Sequence, residues 1–341
     1  MKRILLLTVA LLMLAVTASG KNNRAQVVFR HDAVAKKVDV LVDGKYFTSY
    51  IYPSKMEKQV LYPIRTASGK EITRGYPDNP RPYERTDHPH HVGLWFNFGS
   101  VNGLDFWNNS FAIKPGELHK YGRIVFDKIV KADDKKGTLT VKADWVDSKE
   151  NVLMEETTTF VFGGEGNMRT IERITRLKAA TEVTLFENKE GLIAIRMDRA
   201  FEEPSTKPER FLDANGNVTD VPAMNNDGVN GVYRNAEGVR GGDVWAKKSK
   251  WVALRAEKEG EPVTVAIIDN RSNYGYPAWS HARGYGLFAT NNLAGRAVDP
   301  DGPEVKVVIE PGKTLTFKHK IVITGEITDA ELNAIADTYV K

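Results

Sequence analysis

The chain has 341 residues, 41% hydrophobic and 27% charged, which is enough to bury a sizeable core. Its formal charge is +4, with both signs mixed along the chain and no basic block, which excludes the electrostatic footprint of a nucleic-acid binder. It has no cysteine, so no disulfide supports the fold and no thiolate can hold a metal.

The first twenty residues, MKRILLLTVALLMLAVTASG, read as a secretory signal peptide. Lys2 and Arg3 form a positive start, Ile4 to Val16 an apolar stretch, and Ala18-Ser19-Gly20 a small-residue cleavage site. Without Lys2 and Arg3 the balance is 46 basic against 44 acidic side chains. No later segment approaches the roughly 20 apolar residues of a membrane span. The expectation is a single domain over residues 21–341, secreted or periplasmic, with no membrane contact after cleavage and no nucleic-acid partner.

From there a period of two dominates. KVDVLVDGKYFTSYIY, from Lys37, predicts two strands around Asp43-Gly44, a pair that accepts the positive φ of a tight hairpin. GRIVFDKIVKA, GTLTVKADWVD and VLMEETTTFVF continue the alternation through short polar turns. MRTIERITRL alternates less cleanly, but its Thr and Ile content favours a strand over a helix. TEVTLFENKEGLIAIRM, PVTVAIID, PEVKVVIEPG and KTLTFKHKIVITG predict four more extended segments. Pro204 to Asp243 is long and polar with few strand signals, either a lid over a site or a surface excursion. At the end, Thr328 with Glu331 three residues on makes a capping box, and Leu332, Ile335 and Ala336 recur at helical spacing. The fold class is therefore all-β, a large antiparallel two-sheet supersandwich with a short C-terminal helix.

Three clusters could carry chemistry. The first is RTDHPHHVGLWFNFGSVNGLDFWN, Arg85 to Asn108, with three of the seven histidines in four positions. On an extended backbone His88 and His90 point one way and His91 the other, at a strand edge set by Pro89. Asp87 with these imidazoles fits a proton shuttle, hydroxyl binding, a metal site through His88 and His90, or a pinned turn. A metal is not favoured, since no HExxH helix accompanies them. Trp95 follows, and Asp105 and Trp107 alternate onto one face, either to hold a sugar or as a core Trp with a capping Asp. The second cluster is FENKEGLIAIRM, where Glu187, Glu190 and Arg196 meet only if the strand bends at Gly191. The third is DNRSNYGYPAWSHARGYGLFATNNLAG, where Trp279, His281 and Arg283 share one face and Asn270, Asn273, Asn291 and Asn292 add amides for a polyol-binding wall. His319 alternates with lysines and reads as part of a solvated face, while His31 and His119 carry no signal.

The blocks TDHPHHVGLWFNFGSVNGLDFW, EGLIAIR and PAWSHARGYGLFATN resemble the strongest blocks of a bacterial family known as PmoA-like, over roughly Tyr76 to Ala297. That family takes its name from a methane oxygenase, a membrane metalloenzyme, and the name carries no chemistry for a chain without a span. The resemblance implies a secreted protein with a galactose-mutarotase-like supersandwich, in the company of sugar-processing proteins. By that analogy His90 or His281 acts as acid and Glu190 as base on a sugar ring, with His88 beside them. Asp87, His91, Trp95, Asp105, Trp107, Arg196, Trp279 and Arg283 then bind the carbohydrate at one sheet's concave face. The expected function is a carbohydrate lyase, hydrolase or epimerase. Two alternatives stay open, a non-catalytic carbohydrate binder and a His-ligated metal enzyme.

Overall fold

The computed structural model describes residues 25–54 and 56–339. The segment read as a signal peptide, residues 1–20, lies outside them. Two eight-stranded antiparallel sheets make up most of what is described. The first runs, in spatial order, Val27–Asp32, Lys37–Val42, Lys45–Ile51, Val60–Leu61, Leu94–Phe98, Gly191–Arg196, Leu287–Asn291 and Trp279–Arg283. The second runs Val232–Asn235, Trp251–Lys258, Glu261–Asp269, Thr314–Thr324, Met168–Ala179, Val152–Glu165, Thr138–Val146 and Arg123–Asp133. A short pair, Val183–Phe186 with Lys306–Ile309, stands apart.

Local chemistry explains the connections. Asp43 and Gly44 both take positive φ, 53° and 75°, as a two-residue hairpin between right-twisted strands requires. Thr328 N donates to Glu331 Oε2 at 2.8 Å and Glu331 N donates back to Thr328 Oγ1 at 3.2 Å, which starts the Asp329–Tyr339 helix.

The main core lies between the sheets. Phe96 of the first meets Phe317 of the second with ring centroids 5.8 Å apart, and Phe47 meets Phe162 edge-on at 6.3 Å. The helix lays Leu332 and Ala336 on the outer face of the second sheet, against Trp251, Ala266 and Val322. Burying Leu332 there stabilises by roughly 2 kcal/mol. Trp95, Trp107, Ala194, Leu287 and Ala289 cluster on the opposite, outer face of the first sheet.

Three sequence expectations change. His319 is fully buried instead of solvated. Its Nε2 lies 3.1 Å from Asn292 Oδ1 and 3.7 Å from Asp269 Oδ1. Asp269 in turn accepts from Asn273 and Asn292 amides at 2.6 and 3.0 Å. The asparagines read as a polyol wall are thus used inside the protein. Asn270 donates to Tyr339 O, and Asn291 to the carbonyls of Asn188 and Lys189. The long polar segment is also built. It pairs Glu209 with Ala223 and Leu212 with Val218, supplies the edge strand Val232–Asn235, and ends in a 3-10 turn at Gly241–Val244.

Candidate functional site

The site stands on the outer face of the first sheet, where four strands run side by side. The register aligns Trp95 with Ala194, Ala194 with Ala289, and Ala289 with His281. Two alanines between an indole and an imidazole leave a gap above the sheet, and Trp107 fills it. Its ring lies 5.3 Å from that of Trp95 and stacks on His281 at 5.7 Å. Asp105 is what delivers Trp107. It turns in on its own loop, accepting from Trp107 N at 2.8 Å, Asn108 N at 2.9 Å and Asn108 Nδ2 at 2.7 Å, so it holds the protein and not a sugar.

The histidine segment is a turn rather than an extended strand edge. His91 N donates to His88 O at 3.0 Å, and His88 has φ 44°. Pro89 sets the turn, since its ring fixes φ and it needs no amide partner. Turning reverses the expected directions. His88 and His91 stack in parallel, 4.8 Å apart at 2°, while His90 stands at 75° to both. Tyr285 extends the stack beyond His88, 5.0 Å away at 4°.

Two arginines lock this turn to the sheet. Arg74 Nη1 and Arg196 Nη2 donate to the same Asp87 oxygen, Oδ1, at 2.7 and 2.6 Å. Arg74 also donates to the carbonyls of Arg85, Asp87, His88 and His91. Burial raises the Asp87 carboxyl, but Arg196, the hydrogen bond with His88 and Arg74 outweigh it and hold it well below the usual carboxylate range. Arg196 is fully buried, so the carboxylate it binds is that of Asp87 and not a ligand's. Asp87 Oδ2 lies 2.9 Å from His88 Nδ1. The His88 and His90 rings stand 5.6 Å apart at 75°. Among the described residues no group of three or more His, Asp or Glu side chains is placed to hold a metal.

A carboxylate and an imidazole come together elsewhere, in Glu190 and His281. Glu190 Oε2 is 3.8 Å from His281 Nε2. His281 is buried, and burial lowers its pKa to about 3, with Arg283 and Lys189 adding to the effect. It is therefore a neutral imidazole near pH 7, unable to act as an acid and only weakly basic. Its Nδ1 has no hydrogen-bond partner among the described residues. Glu187 does not join them; it accepts from Arg296 N and Val305 N, both at 3.1 Å.

His90 is separated from this pair. Ring contacts run from His90 to His91 at 4.3 Å, from His91 to Trp107 at 5.8 Å, and from Trp107 to His281. The structure thus brings Glu190, His281, Trp107 and Arg283 to one place, and leaves His90 on the far side of an aromatic partition.

Trp279, His281 and Arg283 do share a face, as their spacing predicts. Yet Trp279 is buried, with Lys248 Nζ 4.2 Å over its ring, and Trp95 and Trp107 are buried too. The half-exposed rings are Tyr285 and Trp245. Sequence reasoning missed both. Trp245 follows the 3-10 turn that closes the long polar segment. It stands edge-on to His281 at 5.1 Å, and the Arg283 guanidinium lies 4.1 Å over its ring. Arg74 was missed as well, because only the folded chain brings it under the histidine turn.

Residues 37–337 match the family described as a family of unknown function, DUF6807. The chain belongs to that family. The match carries this description and not the PmoA-like name that the three blocks suggested. No curated protein matches the sequence. Among solved structures, the galactosidase domain of an α-galactosidase–sucrose kinase, AgaSK, is similar at 9% identity and a TM-score of 0.37, over 88% of this chain and 42% of that one. An α-galactosidase from Geobacillus stearothermophilus, AgaA, solved with stachyose, is similar at 12% identity and 0.33, over 88% and 40%. A GalM/aldose epimerase homologue from C. elegans is similar at 10% identity and 0.33, over 89% and 99%. The chain spans about two fifths of the length of the two α-galactosidases.

Proposed function

We propose that this protein is a carbohydrate-active enzyme that moves a proton at a sugar carbon or glycosidic bond, in a lyase, hydrolase or epimerase reaction. The observation that carries the reading is the Glu190–His281 pair, 3.8 Å apart, with the half-exposed Trp245 beside it. A carboxylate at this rim is a workable proton acceptor, and the neutral imidazole beside it can hold a substrate hydroxyl. Glu190 is the more accessible partner, at 18% side-chain exposure, and meets the substrate first. Trp245 and Tyr285 offer apolar ring faces to the C–H side of a sugar, and Arg283 attracts an acidic one. With residues 1–20 acting as a signal peptide, the substrate is met in the periplasm or outside the cell.

The test is a screen of oxidised and plain glycosides, followed in deuterated solvent for exchange at carbon. Turnover should fall in Glu190→Gln and in His281→Ala. Unchanged turnover of an identified substrate in both variants would sink the reading. The half-exposed Trp245 and Tyr285 favour one alternative, a sugar binder without turnover. That alternative predicts saturable binding by calorimetry and no product.

A further inference from the structure

A cavity lies across the aromatic partition from Glu190 and His281. It encloses about 320 Å³, and its walls include Met56, Lys58, Pro89, His90, Asn109 and Phe111. Phe111 stands at its mouth, 70% exposed.

Lys58 is the unusual member. It is 5% exposed, and among the described residues no carboxylate pairs with its ammonium. Its Nζ donates to His90 O at 2.7 Å and sits 5.4 Å over the Trp95 ring. A lysine placed in this way gives up hydration without an ion pair, which proteins rarely allow in a structural role. Burial lowers it to about 7, with Glu57 and Asp105 pulling the other way. Two further buried polar atoms on the same walls have no partner among the described residues, His90 Nε2 and Asn109 Oδ1. The walls also carry the carboxylates of Glu57 and Asp78. An uncharged amine is nucleophilic, and lysines kept uncharged by burial serve as carbonyl traps.

We propose that this cavity is a second small-molecule site, in which the Lys58 amine condenses with an aldehyde or ketone such as the open-chain form of a reducing sugar. The Nζ lone pair adds to the carbonyl carbon, and the carbonyl oxygen takes a proton to give a carbinolamine. The C–O bond then breaks and the nitrogen loses its remaining proton, so that an amine and a carbonyl become an imine and one water. His90 Nε2 and Asn109 Oδ1 stand ready to hold hydroxyls of the bound molecule. The site does not depend on the Glu190–His281 reading.

The test is reductive trapping on the purified full chain with glyceraldehyde and cyanoborohydride at pH 7, with each lysine followed by peptide mass spectrometry. Roughly half of Lys58 is free amine at that pH, against less than about one in a thousand for an ordinary lysine, so it should label at least about tenfold faster than surface lysines. Ser110, another wall residue, allows the route to be checked. Ser110→Leu narrows the cavity without touching the amine and should cut Lys58 labelling to the surface rate, whereas Glu190→Gln should leave it unchanged. Labelling of Lys58 no faster than surface lysines in the wild type would overturn the proposal. So would undiminished labelling in folded Ser110→Leu.

Discussion

Arg196 Nη2 donates to Asp87 Oδ1 at 2.6 Å, joining a central strand to a turn 109 positions earlier in the chain. The bond explains why three histidines can stand together in one turn. The turn has few apolar anchors, and Arg74 and Arg196 hold its only carboxylate from below. Asp87→Asn removes the charge and leaves two buried guanidiniums uncompensated. The expected loss is ~3 kcal/mol in urea unfolding, the range for breaking one side of a buried ion pair. Because the folded Asp87 pKa is depressed, its contribution is present above the unfolded value near 3.9 and is lost as pH falls below it. The wild type should therefore lose more stability than Asp87→Asn on acidification below about pH 4.

Two other histidines make stability depend on pH at a higher range. Burial holds His281 and His319 each down to about 3, helped at His281 by Arg283 and at His319 by Arg173. In the unfolded chain both take a proton near 6.5. The folded state refuses that proton until about pH 3, so stability is full above 6.5 and falls as pH drops through the window. Asp269 works in the opposite sense. Burial pushes it up to about 6, so its contribution is present below about 4 and lost as pH rises through 6. Urea midpoints measured from pH 7.5 to pH 4 should decline on acidification. The decline should be shallower in His319→Asn and steeper in Asp269→Asn. A flat profile in the wild type contradicts the burial of both imidazoles as neutral groups.

Trp245 covers the edge of His281, and the two meet at 5.1 Å. Trp245→Ala opens that edge to water. Since desolvation is the largest cause of the low His281 pKa, the variant should titrate its imidazole closer to the usual 6.5. A proton NMR titration of the ring, assigned with His281→Ala, reads this directly. An unmoved His281 would mean that Trp107 alone keeps water from the ring.

Much of this architecture was legible from local chemistry. Asp43-Gly44 takes the positive φ that only a few residue types accept easily, and Thr328 with Glu331 closes a capping box, so both signals were decided by adjacent residues. Trp279, His281 and Arg283 lie on one face because a strand repeats every two residues. Alternation, however, says which residues share a face and not what covers it. Trp279 is closed over by Lys248, and His319 by the opposite sheet, so an exposed reading failed at one and a ligand-facing reading at the other. The His88–His91 stack escaped for a related reason. Period-two reasoning assumes extended backbone, and Pro89 makes a turn instead. Arg74, Trp245 and Tyr285 carry no motif of their own; their roles come from contacts with distant segments.

The strongest consequence for chemistry is the division of labour between Glu190 and His281. A buried imidazole held down to about 3 is a weak base near pH 7. Glu190 is therefore the residue whose removal should cost most when the substrate must first lose a proton. In that case Glu190→Gln should lower kcat by about 10²–10⁴-fold with KM little changed, the range for removing a positioned acid–base group. His281→Asn keeps a polar side chain under Trp107 but cannot become cationic. It should lower kcat as well, and the double variant should be no worse than the poorer single one, because the two act as a unit. If the losses multiplied instead, Glu190 and His281 would be acting on separate steps. The 3.8 Å between them would then be proximity without coupling.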